Sequence, residues 1–149
     1  MAEFEIKNGV GIIPEGTEKI GTYAFQDCKD LTSVTIPESV TEILWNAFDG
    51  CSALTSVVLP KSLKKIDSNV FRGCTSLMDI VIPDSVTKIN LGAFKGCTSL
   101  TSIVIPASVI ELDSDAFNGC TGLTSIKVAE GNENFDSRDN CNAIIKTES

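Results

Sequence analysis

A period of 23 residues constrains this chain more than any other feature of its sequence. No insertion or deletion interrupts the period between Pro14 and Val128. A fixed period of roughly 20–50 residues is the signature of a solenoid, in which one unit cannot close its own core and stacking closes it. Four columns keep one residue type throughout: Pro14, Pro37, Pro60, Pro83 and Pro106; Phe25, Phe48, Phe71, Phe94 and Phe117; Cys28, Cys51, Cys74, Cys97 and Cys120; Leu31, Leu54, Leu77, Leu100 and Leu123.

Each unit is predicted to end on a short strand. Val57 and Leu59 are apolar at period two, which is typical of a strand, and Pro60 then offers no N–H for a further ladder bond. Equivalent strands of successive units would lie parallel, about 4.8 Å apart. The matching pairs are Val34 with Ile36, Ile80 with Ile82, Ile103 with Ile105, and Ile126 with Val128.

The rest of each unit is predicted to return to the start of the next strand. In the second unit Val40 and Ile43 would point inward from an irregular or extended segment. A short helical turn would follow, which in the third unit Asp67 or Ser68 caps and Gly73 ends in a left-handed conformation.

Both ends of a solenoid expose its core and need covering. At the start, Asn8-Gly9 separates two short apolar segments and predicts a hairpin with a type I′ turn. At the other end the apolar residues that could form a lid are Phe135, Cys141, Ile144 and Ile145.

The repeated segments IPESVTEI (36–43), AFKGCTSLTSIVIP (93–106) and AFNGCTGLTSI (116–126) resemble the leucine-rich repeat of the BspA, or Treponema pallidum, type. The resemblance implies an α/β leucine-rich-repeat solenoid with a parallel β-sheet on its concave face and short helical turns and irregular segments on the return side. It divides the chain into an N-terminal cap (1–13), five repeats (14–128) and a C-terminal cap or truncated inter-repeat segment (129–149).

The same resemblance implies a non-catalytic protein-binding or adhesion module of a bacterial cell-surface or secreted protein. An engineered or truncated repeat scaffold without a natural ligand is the alternative. The N-terminus shows no signal-peptide pattern, so the surface location is implied by the resemblance alone. With 12 Lys and Arg against 20 Asp and Glu, the net charge of −8 argues against nucleic acid as a ligand, and no apolar run is long enough for membrane insertion.

The cysteine column predicts packing rather than chemistry. Its members are 23 residues apart with no CxxC pair and no histidine, so the spacing of a zinc site is missing. Stacked cysteines would come within disulfide range, but their Cβ atoms would point the same way. We therefore expect inert, buried thiols that fill a narrow slot. Cys141 falls outside the column and could be buried or exposed.

No catalytic residue, cofactor or metal ligand is predicted. The chain has no histidine to act as a base near neutral pH, and its Ser and Thr residues recur once per repeat, unlike a nucleophile. Asp113-Ser114-Asp115 could be drawn as a calcium ligand pair, but Asp113 shares a column with Asp67 and Asn90, and turn capping explains that column better.

The predicted partner-binding surface is the concave face of the sheet. Strand residues that alternate with the core pairs face outward there, and three adjacent valines form an apolar line beside a column of hydroxyls. The apolar line also has a plain explanation, since β-branched residues fill strands whatever they face. The surface comprises Ser33, Thr35, Ser56, Val58, Asp79, Val81, Ser102, Val104, Ser125 and Lys127.

A second apolar stripe is an alternative interface. It comprises Tyr23, Leu44, Trp45 and Leu91 on the return side, where large residues recur in every second unit. Trp and Tyr are favoured anchors at interfaces, so this stripe could support a homodimer, or Trp45 could fold over the core edge instead.

Removal of divalent metal is expected to leave the fold unchanged, because the sequence lacks the ligand spacing on which metal-dependent folding relies. The measurement is a thermal melt with and without EDTA. A melting temperature that falls by several degrees in EDTA would contradict this expectation.

Overall fold

In the computed structural model, which describes residues 4–136 and 145–146, every regular element is a β-strand. The strands are β1 (Glu5–Lys7), β2 (Val10–Ile12), β3 (Lys19–Ile20), β4 (Ser33–Thr35), β5 (Glu42–Ile43), β6 (Ser56–Val58), β7 (Lys65–Ile66), β8 (Lys88–Ile89), β9 (Ser102–Ile105), β10 (Glu111–Leu112), β11 (Ser125–Val128), β12 (Phe135–Asp136) and β13 (Ile145–Lys146).

The chain winds into the predicted solenoid of parallel sheets. We number its repeats 1 to 5 for residues 14–36, 37–59, 60–82, 83–105 and 106–128. The front sheet contains the strands that end each repeat, and the return sheet contains the two-residue strands between them. Within the front sheet, β4 pairs in parallel with β6 so that Val34 lies opposite Val57, one period away. β9 and β11 pair in the same way.

A hairpin begins the front sheet. β1 runs antiparallel to β2, and the connecting Asn8 and Gly9 have φ angles of 51° and 80°, as a type I′ turn requires. β2 then pairs in parallel with β4, so it serves as the first strand of the solenoid. The ring of Phe4 stacks on Phe25 with centroids 5.6 Å apart, which covers the N-terminal end of the core.

The core consists of columns of identical side chains. Neighbouring rings from Phe25 to Phe117 stack with centroids 5.1–5.5 Å apart and interplanar angles of 4–13°. The predicted inward residues Val40 and Ile43 are buried, and so is Phe135 at the C-terminal end. Cys141 and Ile144 lie outside the described residues, so the remainder of the predicted lid stays a prediction.

The predicted helical turn is wrong, because consecutive tight turns take its place. In repeat 3 the N–H of Arg72 donates to the carbonyl of Asn69, three residues back, but the N–H of Phe71 donates to Ala93 in the next repeat. Every second N–H group therefore donates to the next repeat. In an α-helix these groups would donate to carbonyls four residues back in the same segment. Asn69 and Gly73 both have positive φ, so the left-handed glycine is present but ends a turn, not a helix.

The predicted strand at Ile80–Ile82 is also wrong. Both side chains point inward as predicted, but residues 79–82 form no ladder, and the front sheet ends at β6 and resumes at β9. The return sheet divides at the same level, since β5 pairs with β3 and β7 pairs with β8. Repeats 2 and 3 therefore meet at a seam that neither sheet crosses.

The turns on the far side hold this seam together. Phe48 stacks on Phe71 across it at 5.5 Å. Beside the rings, the guanidinium of Arg72 donates from Nε and a terminal nitrogen to the two carboxylate oxygens of Asp49, at 3.0 and 2.8 Å. Asp49 is buried and also accepts from the amide of Asn46. Bidentate, partly desolvated pairs of this kind are stronger than surface ion pairs.

Truncation of the phenylalanine column should be costly. Phe71→Ala removes a fully buried ring that stacks on both neighbours, and we expect the free energy of unfolding to fall by about 3–5 kcal/mol. Urea melts monitored by circular dichroism measure this loss. The control is Thr98→Ala, an exposed position, which should change stability by no more than about 0.5 kcal/mol. Equal losses in the two variants would mean that the inward face is misassigned.

Candidate functional site

The structure exposes the outward residues of the front strands, as the alternating pattern requires. Val58, Val81 and Val104 are 53%, 83% and 51% exposed. The hydroxyl column beside them is also accessible, and Thr35 and Lys127 lie at the two ends. The ten residues of the predicted concave surface therefore share one face, which we call the front surface. Its apolar centre is interrupted at repeat 3, where the ladder is broken.

A cleft opens in the front surface at this break. It has a volume of about 580 Å³ and lies between β6 and the segment that follows Leu77. The inward side chains at this level stay buried: Val57, Leu59 and Ile80 are 6–7% exposed, against 2% for Val34 and Ile103. We call this cleft the opening. It is lined by Ser56, Val57, Val58, Leu59, Lys61, Asp79, Ile80, Val81, Ile82, Pro83, Asp84 and Ser85.

Backbone groups on both walls of the opening lack the bonds that their counterparts make. Elsewhere the N–H of Thr55 donates to the carbonyl of Thr32, and the N–H of Ile36 donates to Val58. One period later, the corresponding bonds from Met78 to Thr55 and from Leu59 to Val81 are absent from the described part of the chain. The edge of β6 that faces the opening is therefore an unpaired strand edge.

A departure in the sequence explains where the ladder breaks. Four repeats begin the strand with Thr-Ser, and repeat 3 has Met78-Asp79 instead. Three of the four threonine hydroxyls donate to a carbonyl 23 residues earlier: Thr32 to Gly9 at 3.0 Å, Thr55 to Thr32 at 3.1 Å and Thr124 to Thr101 at 3.2 Å. Met78 cannot make this bond, and Asp is disfavoured in strands. The opening was not predicted from the sequence, although these two substitutions signalled it.

Polar groups at the rim complete the opening. The carboxylates of Asp79 and Asp84 are exposed there, opposite one lysine, Lys61. Beneath the rim, the hydroxyl of Ser85 is buried and has no hydrogen-bond partner among the described residues. In the same column Ser62 donates to the carbonyls of Glu38 and Val40. Bonds to the preceding repeat are therefore missing at Met78 in repeat 3 and at Ser85 in repeat 4 within the described residues.

In the alternative stripe on the return side, the two aromatic residues contact each other. Tyr23 and Trp45 are each about half exposed, with ring centroids 6.0 Å apart. Leu91, two repeats beyond Trp45, is equally exposed, and Leu44 is half-buried. Trp45 therefore does not fold over the core edge. Tyr23 also has a φ of +63°, which is unusual for a bulky side chain.

The three central thiols of the cysteine column are buried, those of Cys28 and Cys120 are partly buried, and four of the five are hydrogen-bonded. Cys74 Sγ donates to the carbonyl of Phe48 at 3.2 Å, and Cys51, Cys97 and Cys120 make the equivalent bond. No disulfide joins the five cysteines of the column. Burial raises the thiol pKa of Cys51 and Cys97 to about 12, and raises that of Cys74 well above its ordinary value. Packing, as predicted, is the role of this column.

The acidic residues of the described chain do not assemble into a metal site. No group of three or more His, Cys, Asp or Glu residues within 4–136 and 145–146 could hold a metal ion. The carboxylate of Asp113 accepts a hydrogen bond from the N–H of Asp115 at 2.9 Å, as expected of a turn cap. Nor does this part of the chain contain a helix long and apolar enough to cross a bilayer.

Comparison with known proteins identifies a repeat family. The family model described as BspA type leucine rich repeat region matches residues 10–124 in six copies. The first copy begins at β2, the strand that precedes the five repeats. No curated protein matches the chain.

Solved structures of bacterial proteins share the fold. A leucine rich cell surface protein from Faecalibacterium prausnitzii is 38% identical with a TM-score of 0.81, over 96% of this chain and 36% of that protein. The T. pallidum leucine rich repeat protein is 35% identical with a TM-score of 0.80, over 90% of this chain and 66% of that protein. A leucine-rich repeat protein from Bacteroides ovatus is 32% identical with a TM-score of 0.61, over 74% of this chain and 34% of that protein. The chain thus spans about a third to two thirds of these relatives.

The raised thiol pKa values predict that alkaline pH destabilises the fold. Above pH 9.0 the thiols of the unfolded chain lose their protons, whereas Cys51 and Cys97 in the folded chain keep theirs up to about 12. The stabilisation is complete below this window and is lost as pH rises through it, by about 1.4 kcal/mol per pH unit for each thiol. Urea melts at about pH 8 and about pH 10.5 measure the loss.

The control is Cys97→Ala, which should reduce the pH dependence, because it removes one buried thiol. A pH dependence that is identical in the variant and the parent would contradict the assignment. So would rapid reaction of Cys51, Cys74 and Cys97 with a thiol reagent in the native protein.

Proposed function

The chain belongs to the BspA-type leucine-rich repeat family, and from that premise we propose that it is a non-catalytic binding module of a bacterial cell-surface protein. The relative from Faecalibacterium prausnitzii is itself a leucine rich cell surface protein, 38% identical to this chain, and supports the location. We assign the binding of a partner protein to the front surface. The observation that carries this assignment is the exposed valine line with the opening at its centre.

The physical character of the front surface favours a protein partner. Val81 contributes apolar area at no cost to the fold, since its side chain already faces solvent. Hydroxyls and charged groups flank it and provide a polar rim, as in interfaces between proteins. Stacked repeats form a rigid platform, so little conformational entropy is lost when a partner docks. The net charge of −8 favours partners that are neutral or basic.

The stripe of Tyr23, Leu44, Trp45 and Leu91 supports a second interface. Paired aromatic rings exposed on the return side are the type of residue that anchors protein contacts. A second copy of the chain could dock there without blocking the front surface. Light scattering of the parent and of Trp45→Ser distinguishes a dimer at this stripe from a monomer.

The test of the proposed function is a binding panel with matched variants. Neutral and basic proteins from extracellular matrix, serum and bacterial surfaces are presented to the immobilised chain. We expect Val81→Glu to weaken a bound partner by about tenfold or more, because an interface would bury its carboxylate unpaired. Ile110→Glu, at an exposed apolar residue outside both surfaces, is the control and should bind like the parent.

Two outcomes would contradict the proposal. Binding that survives Val81→Glu but is lost in Trp45→Ser would transfer the site to the return side. A chain that binds none of the proteins, while its variants retain the parental circular dichroism, would favour a scaffold without a natural ligand.

A further inference from the structure

We propose that the opening binds an extended peptide segment of the partner protein, which adds as a β-strand along the free edge of β6. This inference rests on the proposed function and deepens it, because it gives the chemistry of the ligand. The added strand would extend the sheet β1-β2-β4-β6, which ends at this edge. An exposed strand edge is a template for an incoming strand, and recognition by strand addition is a general mode of peptide binding.

The backbone of the opening supplies the hydrogen bonds. The carbonyl of Thr55 and the N–H of Leu59 point away from β4 and have no backbone partner in the part of the chain that the structure describes. No ladder joins residues 79–82 to a neighbouring strand on either side, so this wall is free to contact a ligand. An extended peptide would satisfy these groups without displacing any bond that the described chain makes.

The side chains of the opening select what the peptide carries. Residues of an added strand alternate between the solvent and the core. On the core side they would meet the inward residues that line the opening: Val57, Leu59, Ile80 and Ile82. This side favours small or β-branched apolar residues. On the solvent side the peptide would lie between Val58 and Val81.

The charge at the rim favours a basic peptide. Asp79 and Asp84 flank the opening against one cation, Lys61, and the whole chain carries a net charge of −8. Self-association by the edge of another copy is opposed by this charge. A segment of a different protein, with β-branched residues and at least one lysine or arginine, is therefore the occupant that fits.

The probe for this inference is the peptide acetyl-Lys-Val-Thr-Val-Lys-amide, added to the isotope-labelled chain. We expect changes in the amide NMR spectrum to concentrate in residues 55–61 and 79–85. Exchange of the amide hydrogen of Leu59 with solvent should slow at the same time, because that N–H gains an acceptor. Asp79→Asn should weaken the affinity about two- to fivefold, which is the size of an exposed ion pair.

Two controls make the test specific to strand addition. The same peptide with every amide nitrogen methylated keeps its side chains and charge but cannot donate backbone hydrogen bonds, and should not bind. Met78→Thr combined with Asp79→Ser restores the Thr-Ser pair of the other repeats, should protect the amide of Leu59 without ligand, and should abolish binding. Ile110→Thr, an exposed substitution outside the opening, should bind like the parent.

The outcomes separate this inference from the proposed function. Equal binding of the methylated peptide, spectral changes outside the opening, or no changes at all would overturn strand addition. A folded partner could still bind through Val81 in those cases, and the proposed function would stand. Conversely, peptide binding at the opening by a chain that binds no folded protein would contradict the proposed function alone.

Discussion

The stacking of each phenylalanine ring on the next is the contact on which the other columns depend. The rings lie 5.1–5.5 Å apart and nearly parallel, so each repeat must place its ring directly over the previous one. The same register sets the backbone. The carbonyl of Phe48 accepts from the N–H of Cys51 in its own repeat and from the thiol of Cys74 in the next. A repeat one residue longer would lose the ring contact and both of these bonds together, which is a physical reason for the constant period.

Repetition made the core predictable from the sequence. A side chain that recurs every 23 residues meets copies of itself, so the period and the apolar character of the phenylalanine, leucine and cysteine columns together assign them to the interior. The hairpin at Asn8-Gly9 was also predictable, because few residue pairs tolerate the two positive φ angles of a type I′ turn and Asn-Gly is one of them. Local propensity was less informative: Asn69 to Arg72 has the pattern of a helical turn, but stacking draws alternate N–H groups to the neighbouring repeat. Hydrogen bonds between repeats take the place of the hydrogen bonds that a helical turn would form within one repeat.

The candidate site was only half predictable for a related reason. Alternation along a strand shows which side chains face outward, and the exposure of Val58, Val81 and Val104 agrees with it. Whether neighbouring strands pair is a property of two segments, and no pattern within one segment reports it. The opening arises because a hydroxyl is missing at Met78, and that absence matters only to the carbonyl of Thr55, one repeat earlier. In a repeat protein, the residues that break a column are as informative as those that keep it.

The seam between repeats 2 and 3 affects how the solenoid can bend. The two blocks of strands are joined there by the Phe48–Phe71 contact and the Arg72–Asp49 ion pair in the turns, and also by hydrogen bonds from Lys61 and Ser62 to the segment 38–40. Bending at this level therefore breaks no strand ladder, whereas bending elsewhere in the described solenoid would have to break the parallel pairing of neighbouring strands.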